Sequence, residues 1–462
     1  MEVVSQAPQP VIKCYHSIKD GKAVKDLYQE FSPTSSHLAG QNLVSYDFEK
    51  SIDNFGGSFS FTVKEEVTTN DLETTFMDKV QPFDIIEIYE NGSSKKVDFI
   101  GVVTTVSFGG ISSNLNKTVS ISGKSIEWLF SFYNINCDIK ACIDQNTAAN
   151  KTFLTDLGEK QATEGLSIKD IVKATFKTFK ERVEVNQSVS NFIIGDIIDN
   201  WYGSDFCVAS NDKFIFPITS NLFENSRINV IDYIRKLLPP PLYEIFGLID
   251  SSNKPKICVR LVPYANPEEK YEIKSTLLTD FTLTKSCDEL YTAFLPYVEG
   301  SEQSADFFMN LQAAESNEEK GYDAVLVNTD KVKLYGYQLL TCSFVGYTYS
   351  GNNSIDKSKL KTLAKQMDFL FSRLEEMYSG DFTIVHLADE SVANDGEWLK
   401  FAKGLFYVTT AKHSWRYGDN PIINYQVIRG GEYFGTVKVD GFGIAKLFQP
   451  LKKLSYIYRE FD

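Results

Sequence analysis

The chain of 462 residues has few of the residues and patterns on which enzymes, metal sites and membrane anchors usually depend. It contains four histidines, and none of them stands in an HxH, HExxH or HxxxH arrangement. Because no run of 18 apolar residues occurs, the sequence predicts no membrane-spanning helix. The first ten residues lack the basic start and apolar stretch of a secretory signal peptide, so none is predicted.

Cysteine is too sparse and too irregular to predict disulfides or a metal site. The seven cysteines are odd in number and form no CxxC pair, which is typical of reduced cysteines that fill small core positions. Cys137 and Cys142 are close in sequence, but no further ligands stand at a spacing that would complete a metal site. We therefore predict no metal ion and no cofactor.

Basic residues are fewer than acidic residues in this chain. The chain carries 47 Lys and Arg against 61 Asp and Glu, giving a formal net charge of −14. An acidic surface repels phosphate backbones, so the composition predicts no tight binding of nucleic acid. It leaves open a channel through which DNA passes without being held.

The sequence also lacks the common catalytic motifs. No GxSxG elbow, Walker loop or dinucleotide fingerprint occurs, and Gly441-Phe-Gly443 has Lys446 where a third glycine is needed. Paired carboxylates such as Asp288-Glu289 are interpreted as solvated faces. His413 lies in a strand pattern and is predicted to be a structural, hydrogen-bonded histidine. We therefore predict no catalytic residue and no enzymatic activity, with a cell-wall hydrolase of unrecognised site as the remaining alternative.

Aromatic residues, by contrast, are abundant, with 34 Phe and 24 Tyr, and they favour β structure. Gly57–Val63 alternates polar and apolar residues, which places Phe59, Phe61 and Val63 on one face of a strand. Asn91-Gly92 is a strong hairpin signal between two further strands. Such short strands, joined by regular turns, predict a small barrel or sandwich over the first 135 residues.

The middle of the chain has a mixed pattern. Ser167 is predicted to cap a helix together with Asp170, and a second helix is expected from Asn229 to Leu238. That helix must stop at the three prolines 239–241, which lack N–H donors.

The last third of the chain predicts one long helix followed by strands. The helix is expected at about 356–379, with Gly380 as its C-terminal stop. Strands are predicted at 382–386, 405–413 and 424–428, and Arg429-Gly430-Gly431 is interpreted as a turn. No repeat of fixed period is visible.

One group of aromatic residues has two open interpretations. Trp128, Phe130, Phe132 and Tyr133 follow a predicted strand closely. They fit a core or subunit contact, which we favour, or a platform for binding sugars.

The order of several short motifs resembles one known family. The cues in the N-terminal part are Gly57–Val63, Gln81–Tyr89, Asp98–Val103 and Ser120–Gly123. Those further along are Pro240–Phe246, Arg260–Pro263, Leu405–His413 and Ile423–Arg429. Together they resemble the baseplate hub proteins of contractile-tailed phages and related injection systems. That group includes the base of type VI secretion spike proteins and the N-terminal part of siphophage tail-associated proteins.

The resemblance implies a mainly β fold with α/β segments, in which two small tube-type β-barrels are joined by a mixed α/β region. The corresponding domains are expected at 1–135 for the first barrel and 136–275 for the mixed region. The second barrel is expected at 276–435, with an inserted loop and the helix at about 356–379, followed by a C-terminal segment at 436–462.

The function implied is that of a structural baseplate or tail hub subunit. Three copies would form a ring that adapts the hexameric tail tube to a trimeric central spike. The expected partners are two further copies, the tail tube ring, a separate trimeric spike protein and other baseplate wedge proteins. The expected place is the virion tail, assembled in the host cytoplasm. The alternative is a tail-tip or cell-surface binding protein of similar β architecture.

Overall fold

A computed structural model of the chain describes most of its strands. The described residues are 9–33, 42–66, 79–92, 96–110, 116–132, 134–135, 166–167, 169–170, 172–173, 193–209, 213–215, 228–238, 243–261, 271–288, 290–298, 326–344, 347–348, 363–365, 367–368, 371, 378–387, 392–401 and 404–432. These residues form a mainly β protein with α/β segments, as predicted. None of the helices among them is long and apolar enough to cross a membrane.

The N-terminal part forms an antiparallel sheet, which we call the first β unit. Its strands are β1 (Val11–Lys19), β2 (Lys22–Phe31), β3 (Asn42–Ser51), β4 (Ser58–Glu66), β5 (Ile85–Tyr89), β6 (Phe99–Gly110) and β7 (Asn116–Ser125). Their order across the sheet is β2-β1-β5-β6-β7-β4-β3. A 3-10 helix, Ile126–Phe132, follows β7.

The first β unit rolls around its own core. In a flat sheet β2 and β4 would lie about 24 Å apart, five strand spacings. Yet the rings of Phe31 on β2 and Phe61 on β4 have centroids 6.1 Å apart. Phe59, Phe61 and Val63 are all buried in this core, which confirms the predicted face of β4. The sheet therefore curls as a small barrel does, although no hydrogen-bonded closure is seen among the described strands.

The middle part supplies helices and short strands. They are β8 (Asn134–Ile135), β9 (Leu166–Ser167), α1 (Ile193–Tyr202), β10 (Cys207–Ala209), β11 (Lys213–Ile215), β12 (Ile228–Asn229), α2 (Val230–Leu237), β13 (Tyr243–Ile249) and β14 (Pro255–Leu261). The predicted cap at Ser167 is confirmed, because Asp170 N donates to Ser167 Oγ. At the start of α2, Asp232 N donates to the Asn229 side chain.

The C-terminal part completes the fold. Its elements are β15 (Tyr271–Glu272), β16 (Leu278–Lys285), β17 (Ala293–Val298), β18 (Leu326–Val327), α3 (Thr329–Tyr335), β19 (Leu339–Phe344), β20 (Tyr347–Thr348), β21 (Tyr378–Val385), β22 (Trp398–Phe401), β23 (Gly404–Arg416) and β24 (Ile422–Glu432). Strands β17, β18 and β19 form a separate sheet, and Phe294 and Cys342 pack with the middle part. The segment 276–435 thus contributes to two cores.

The remaining C-terminal strands form a second β unit, ordered β16-β21-β24-β23, with β22 on β23 and β15 on β22. Four strand spacings, about 19 Å in a flat sheet, separate β16 from β22. The rings of Phe281 on β16 and Phe401 on β22 are nevertheless 5.4 Å apart. The second unit therefore rolls as the first does.

The two β units repeat the same strand pattern. Strands β16, β21, β24 and β23 pair in the order of β3, β4, β7 and β6. The register shifts also occur at matching places. The shift between Leu43 and Ser45 on β3 matches that between Leu278 and Asp280 on β16. The shift between Val103 and Thr105 on β6 matches that between Val408 and Thr410 on β23. This duplication was not visible in the sequence.

Several sequence expectations need correction. Gly380 lies inside β21 rather than at the end of a helix, because a side chain there would overlap the backbone of Thr282 on β16. Residues 363–365, 367–368 and 371 are helical, but the strand begins at Tyr378, before the expected helix end. Arg429-Gly430-Gly431 continues β24 instead of turning. Strand β6 has a bulge after Val103, and at Gly101 the Phe59 ring leaves no room for a Cβ.

Candidate functional site

A strand joint connects the two β units. Residues Ser45–Ser51 of β3 pair antiparallel with Thr410–Arg416 of β23, without interruption of the register. The His413 ring stacks on Phe48 at 4.4 Å between centroids, and Trp415 stacks on Tyr46 at 5.8 Å. The joint therefore merges the two units into one 13-stranded sheet.

A buried carboxylate lies beside this joint. Glu90, directly after β5, is fully inaccessible to solvent. Its Oε1 accepts a hydrogen bond from Tyr46 Oη at 2.9 Å. Its Oε2 lies 2.9 Å from His413 Nδ1 and 3.1 Å from His386 Nδ1. Glu90 comes from the first unit and both histidines come from the second, so this Glu–His–His cluster holds the units together electrostatically.

Opposing effects set the charge of Glu90. Burial raises the pKa of its carboxyl, but His413 and His386 outweigh burial and hold the pKa well below its usual range. Asp98, whose Oδ2 accepts from the Glu90 backbone N at 2.7 Å, behaves in the opposite way. Burial and the negative charge of Glu90 raise the pKa of Asp98 to about 6. The cluster thus lowers the proton affinity of one carboxyl group and raises that of its neighbour.

Replacing Glu90 by Gln should destabilise the protein by about 3 kcal/mol at pH 7, because it removes the charge that the buried histidines face. The midpoint of urea unfolding measures this. Glu272→Gln is the control, since Glu272 forms a solvated pair with Lys400 at 2.9 Å and should cost less than about 1 kcal/mol. Equal losses in the two variants would contradict the special role of the buried cluster.

A cavity of about 340 Å³ opens next to the cluster, where the two β units meet the middle part. Its lining includes His386 and Asp98, the backbone of β13, and the loop before β22. The charged side chains that line it are Lys50, Lys96, Asp98, Arg260, Asp395 and Glu397. This volume is within the range of small-molecule sites.

Burial raises the pKa of carboxyl groups around the cavity. Burial raises the pKa of Asp395 to about 7, although nearby Lys50 opposes the shift. Burial also raises the pKa of Glu397 and of Glu127, which lines an adjoining pocket together with Asp395. The cavity therefore gathers several carboxyl groups of raised pKa together with the cations Lys50, Lys96 and Arg260.

An ion pair within the middle part is hydrogen-bonded to the second unit. Arg260 Nε on β14 donates to Glu244 Oε1 at 2.6 Å, and Arg260 Nη2 donates to the Gly396 carbonyl at 2.7 Å. Tyr407 Oη donates to the same Glu244 carboxylate at 2.7–2.8 Å. Arg260 thus has a positioning role at the edge of the cavity.

Asp395→Asn should flatten the dependence of stability on pH. A carboxyl whose pKa is raised by folding binds its proton more tightly when native, so its contribution is lost as pH rises from about 4 through 7. A shift from about 4 to about 7 corresponds to roughly 4 kcal/mol. Urea unfolding at pH 5 and pH 8 measures the difference, with the exposed Asp288→Asn as the control. An unchanged slope in Asp395→Asn would contradict the assignment.

The residues singled out from the sequence fall in different places. His413 is buried and hydrogen-bonded, as predicted, whereas His16 contacts Asp84 at 3.2 Å and His37 lies outside the described residues. Sequence reasoning missed the meeting of His386 and Glu90 with His413, because their spacing along the chain carries no local signal.

The aromatic group after β7 divides in two. Phe130 is a core residue, while Trp128 and Phe132 form a partly exposed cluster with Phe83, with centroids 4.5 Å apart for the Trp128–Phe132 pair. Tyr133 lies outside the described residues, as do Cys137 and Cys142. Within the described ranges, no group of three His, Cys, Asp or Glu side chains is arranged to hold a metal ion.

Comparisons with known proteins were made by family, sequence and structure. No family model matches the chain, and no curated protein matches it. Among solved structures it is similar to a tail protein from Neisseria meningitidis MC58, with 9% identity, a TM-score of 0.49 and coverage of 91% of this chain and 96% of that one. It is also similar to the 43 kDa tail protein of prophage MuSo2 from Shewanella oneidensis, with 9% identity, a TM-score of 0.45 and coverage of 92% and 97%.

A third similar structure is the E. coli c3393 protein, a component of the type VI secretion system, with 8% identity, a TM-score of 0.39 and coverage of 87% of this chain and 81% of that one. These neighbours are proteins of phage tails and of a secretion system. At such similarity they assign no function to this chain, which has to be derived from its own residues.

Proposed function

We propose that this chain is a structural hub subunit of a phage tail or a related contractile injection machine. Three copies form a ring that adapts the hexameric tail tube to a trimeric central spike. The observation that carries the proposal is the duplication of one rolled β unit, with matching strand order and register shifts, joined edge to edge within the chain.

Duplication suits this role because of symmetry. A ring of three chains presents six similar β units to a sixfold tube, while its other face keeps the threefold symmetry of a spike. Two units in one chain are the simplest way for a protein to bridge these symmetries.

The motifs that resemble the hub family support the same role by their positions. In the first unit, Gly57–Val63 enters β4, Gln81–Tyr89 ends in β5, and Asp98–Val103 begins β6. In the second unit, Leu405–His413 and Ile423–Arg429 form the β23–β24 hairpin. Strands β6 and β23, which each carry such a motif, are therefore counterparts in the two units.

The partners proposed are the tail tube ring, a separate trimeric spike protein and other baseplate wedge proteins. The place proposed is the virion tail, with assembly in the host cytoplasm. The net charge of −14 suits a channel that DNA crosses, since a basic lumen would bind the phosphates and slow their passage.

One observation favours a second candidate, a tail-tip or cell-surface binding protein. Phe83, Trp128 and Phe132 form a cluster in which Phe132 remains 36% exposed. Clustered aromatic rings at a surface can stack on sugars. A peripheral position in the particle would favour this candidate over the hub.

The purified chain should have three times the mass of one chain in mass photometry, and images should show a ring with an axial opening. The physical reason is that permanent partners bury large contacts and do not separate on dilution. Images of the assembled particle should place the ring between tube and spike. A monomer at high concentration, found as single copies in the particle, would contradict the hub.

The chain should show no hydrolase activity on peptidoglycan, because its sequence holds none of the common catalytic motifs and its buried Glu90 and Glu244 contact groups that join the parts of the fold. Zymography against cell walls measures this. Asp395→Asn and Glu397→Gln serve as paired variants, since both carboxyls line the cavity. A cleared band that disappears in either variant would show that the cavity is catalytic.

A further inference from the structure

The duplication gives each strand of the internal joint a counterpart elsewhere in the chain. On β23, Val408 exchanges backbone hydrogen bonds with Gly396 and Glu397, and on β6, Val103 does the same with Phe83 and Asp84, all at 2.8–2.9 Å. Val103 therefore corresponds to Val408.

The match continues across the next strands. Ile121 on β7 pairs with Val106 on β6 and with Phe61 on β4. Tyr425 on β24 pairs in the same way with Ala411 on β23 and with Phe382 on β21. On the outermost strands, the shared register shifts match Leu43 with Leu278 and Ser45 with Asp280. By this correspondence, residues 45–51 are structurally equivalent to residues 280–286. In the same way, residues 410–416 of β23 are equivalent to the β6 residues from 105 onward.

Among the residues that the structure describes, one of the two equivalent joints is formed, that between β3 and β23. One edge of β6 pairs with β7, and the other edge is its outer edge. On this outer edge, the described pairing consists of the ladder with β5, which ends at Val102, and of the Val103 hydrogen bonds. Strand β16 stands last in the order of the sheet, and its residues are half-buried or exposed along its whole length.

Burial differs between equivalent positions of the described strands. Inside the chain, Tyr46 on β3 and His413 on β23 are 2% and 3% exposed. Their counterparts, Phe281 on β16 and Phe108 on β6, are 49% and 46% exposed. A large apolar side chain that is half exposed on the last strand of a sheet, as Phe281 is, indicates a surface that another chain covers.

The chemistry of the pairs is compatible as well. In the internal joint, Thr410 Oγ1 donates to Ser51 Oγ at 3.0 Å. The counterparts are Thr105 and Ser286, so the same hydroxyl pair can form across two chains. Where Lys412 faces Glu49, the counterparts are Ser107 and Thr284, which are uncharged and do not repel.

We propose that β16 of one copy pairs antiparallel with the second half of β6 of a neighbouring copy, in the register of the internal β3–β23 joint. Thr105 then faces Ser286, Ser107 faces Thr284, and Gly109 faces Thr282. The inference rests on the proposed function in taking a second copy as the partner. Because β16 and β6 are different surfaces, the contact is head-to-tail and generates a ring when it closes.

Engineered disulfides test the register. Hydrogen bonds from Ile52 N to the Thr409 carbonyl and from Tyr417 N to the Val44 carbonyl mark the hydrogen-bonded pairs of the internal joint, so Lys412 and Glu49 form a non-hydrogen-bonded pair. Ser107→Cys with Thr284→Cys occupies the equivalent pair, where Cα atoms approach to about 4.5 Å. The two changes sit in one chain, with Cys137, Cys142 and the exposed Cys287 replaced by Ser.

Mild oxidation should convert this variant into covalent dimers and trimers on a non-reducing gel. The control is Thr105→Cys with Thr282→Cys, which uses the same strands out of register by about 13 Å, beyond the reach of a disulfide. Cross-linking of the control in preference to the test pair would overturn the register.

A charge swap gives an independent measure. Ser107→Glu with Thr284→Glu should weaken assembly about fivefold per joint, because like charges would stand directly opposite each other. Ser107→Lys with Thr284→Glu should restore it, in imitation of Lys412 and Glu49. Equal assembly of the two variants in mass photometry would overturn the proposal.

The two levels of inference fail differently. If the chain forms a ring but the test cysteines do not cross-link and the charge swap leaves assembly unchanged, the hub proposal stands and the proposed joint is wrong. A chain that remains monomeric under all conditions would reject the hub and this joint together. If the test cysteines cross-link but the oligomers lie at the periphery of the particle, the proposed joint stands and the hub proposal is wrong.

Discussion

The pairing of β3 with β23 is the interaction on which the rest of the structure depends. It joins residues that are 359 positions apart at the Thr410–Ser51 hydroxyl contact, and it turns two rolled sheets into one. The Glu90–His386–His413 cluster stabilises this joint from one side, because a fully buried carboxylate needs the two imidazoles that only the second unit supplies. Arg260 and Glu244 connect the middle part to the same place.

Much of the strand architecture could be predicted from local pattern. Phe59, Phe61 and Val63 alternate with polar residues, and strand side chains alternate between faces, so the buried face of β4 was visible in the sequence. Asn229 and the prolines at 239–241 marked both ends of α2, because caps and missing donors act within one turn of helix. These features depend on neighbours in the sequence.

The site depended on neighbours in space and was not predictable in the same way. Glu90, His386 and His413 are ordinary residues in their own segments, and only the joint brings them together. Gly380 was expected to stop a helix because glycine often does so, yet its real constraint is the backbone of Thr282 on another strand. The duplication was equally hidden, since matching positions such as Tyr46 and Phe281, or Phe108 and His413, share register but not residue type.

The great sequence distance across the internal joint has a consequence for biosynthesis. The first β unit can roll up as soon as it leaves the ribosome, but β23 begins at Gly404, 279 positions after β7 ends at Ser125. Contacts of such high sequence separation form late, because long loops must close first. During that interval the edge of β3 is open, and β23 of another nascent chain would fit it as well as its own does. Domain swapping is therefore the characteristic misassembly expected of this fold, and crowded synthesis on one messenger would favour it.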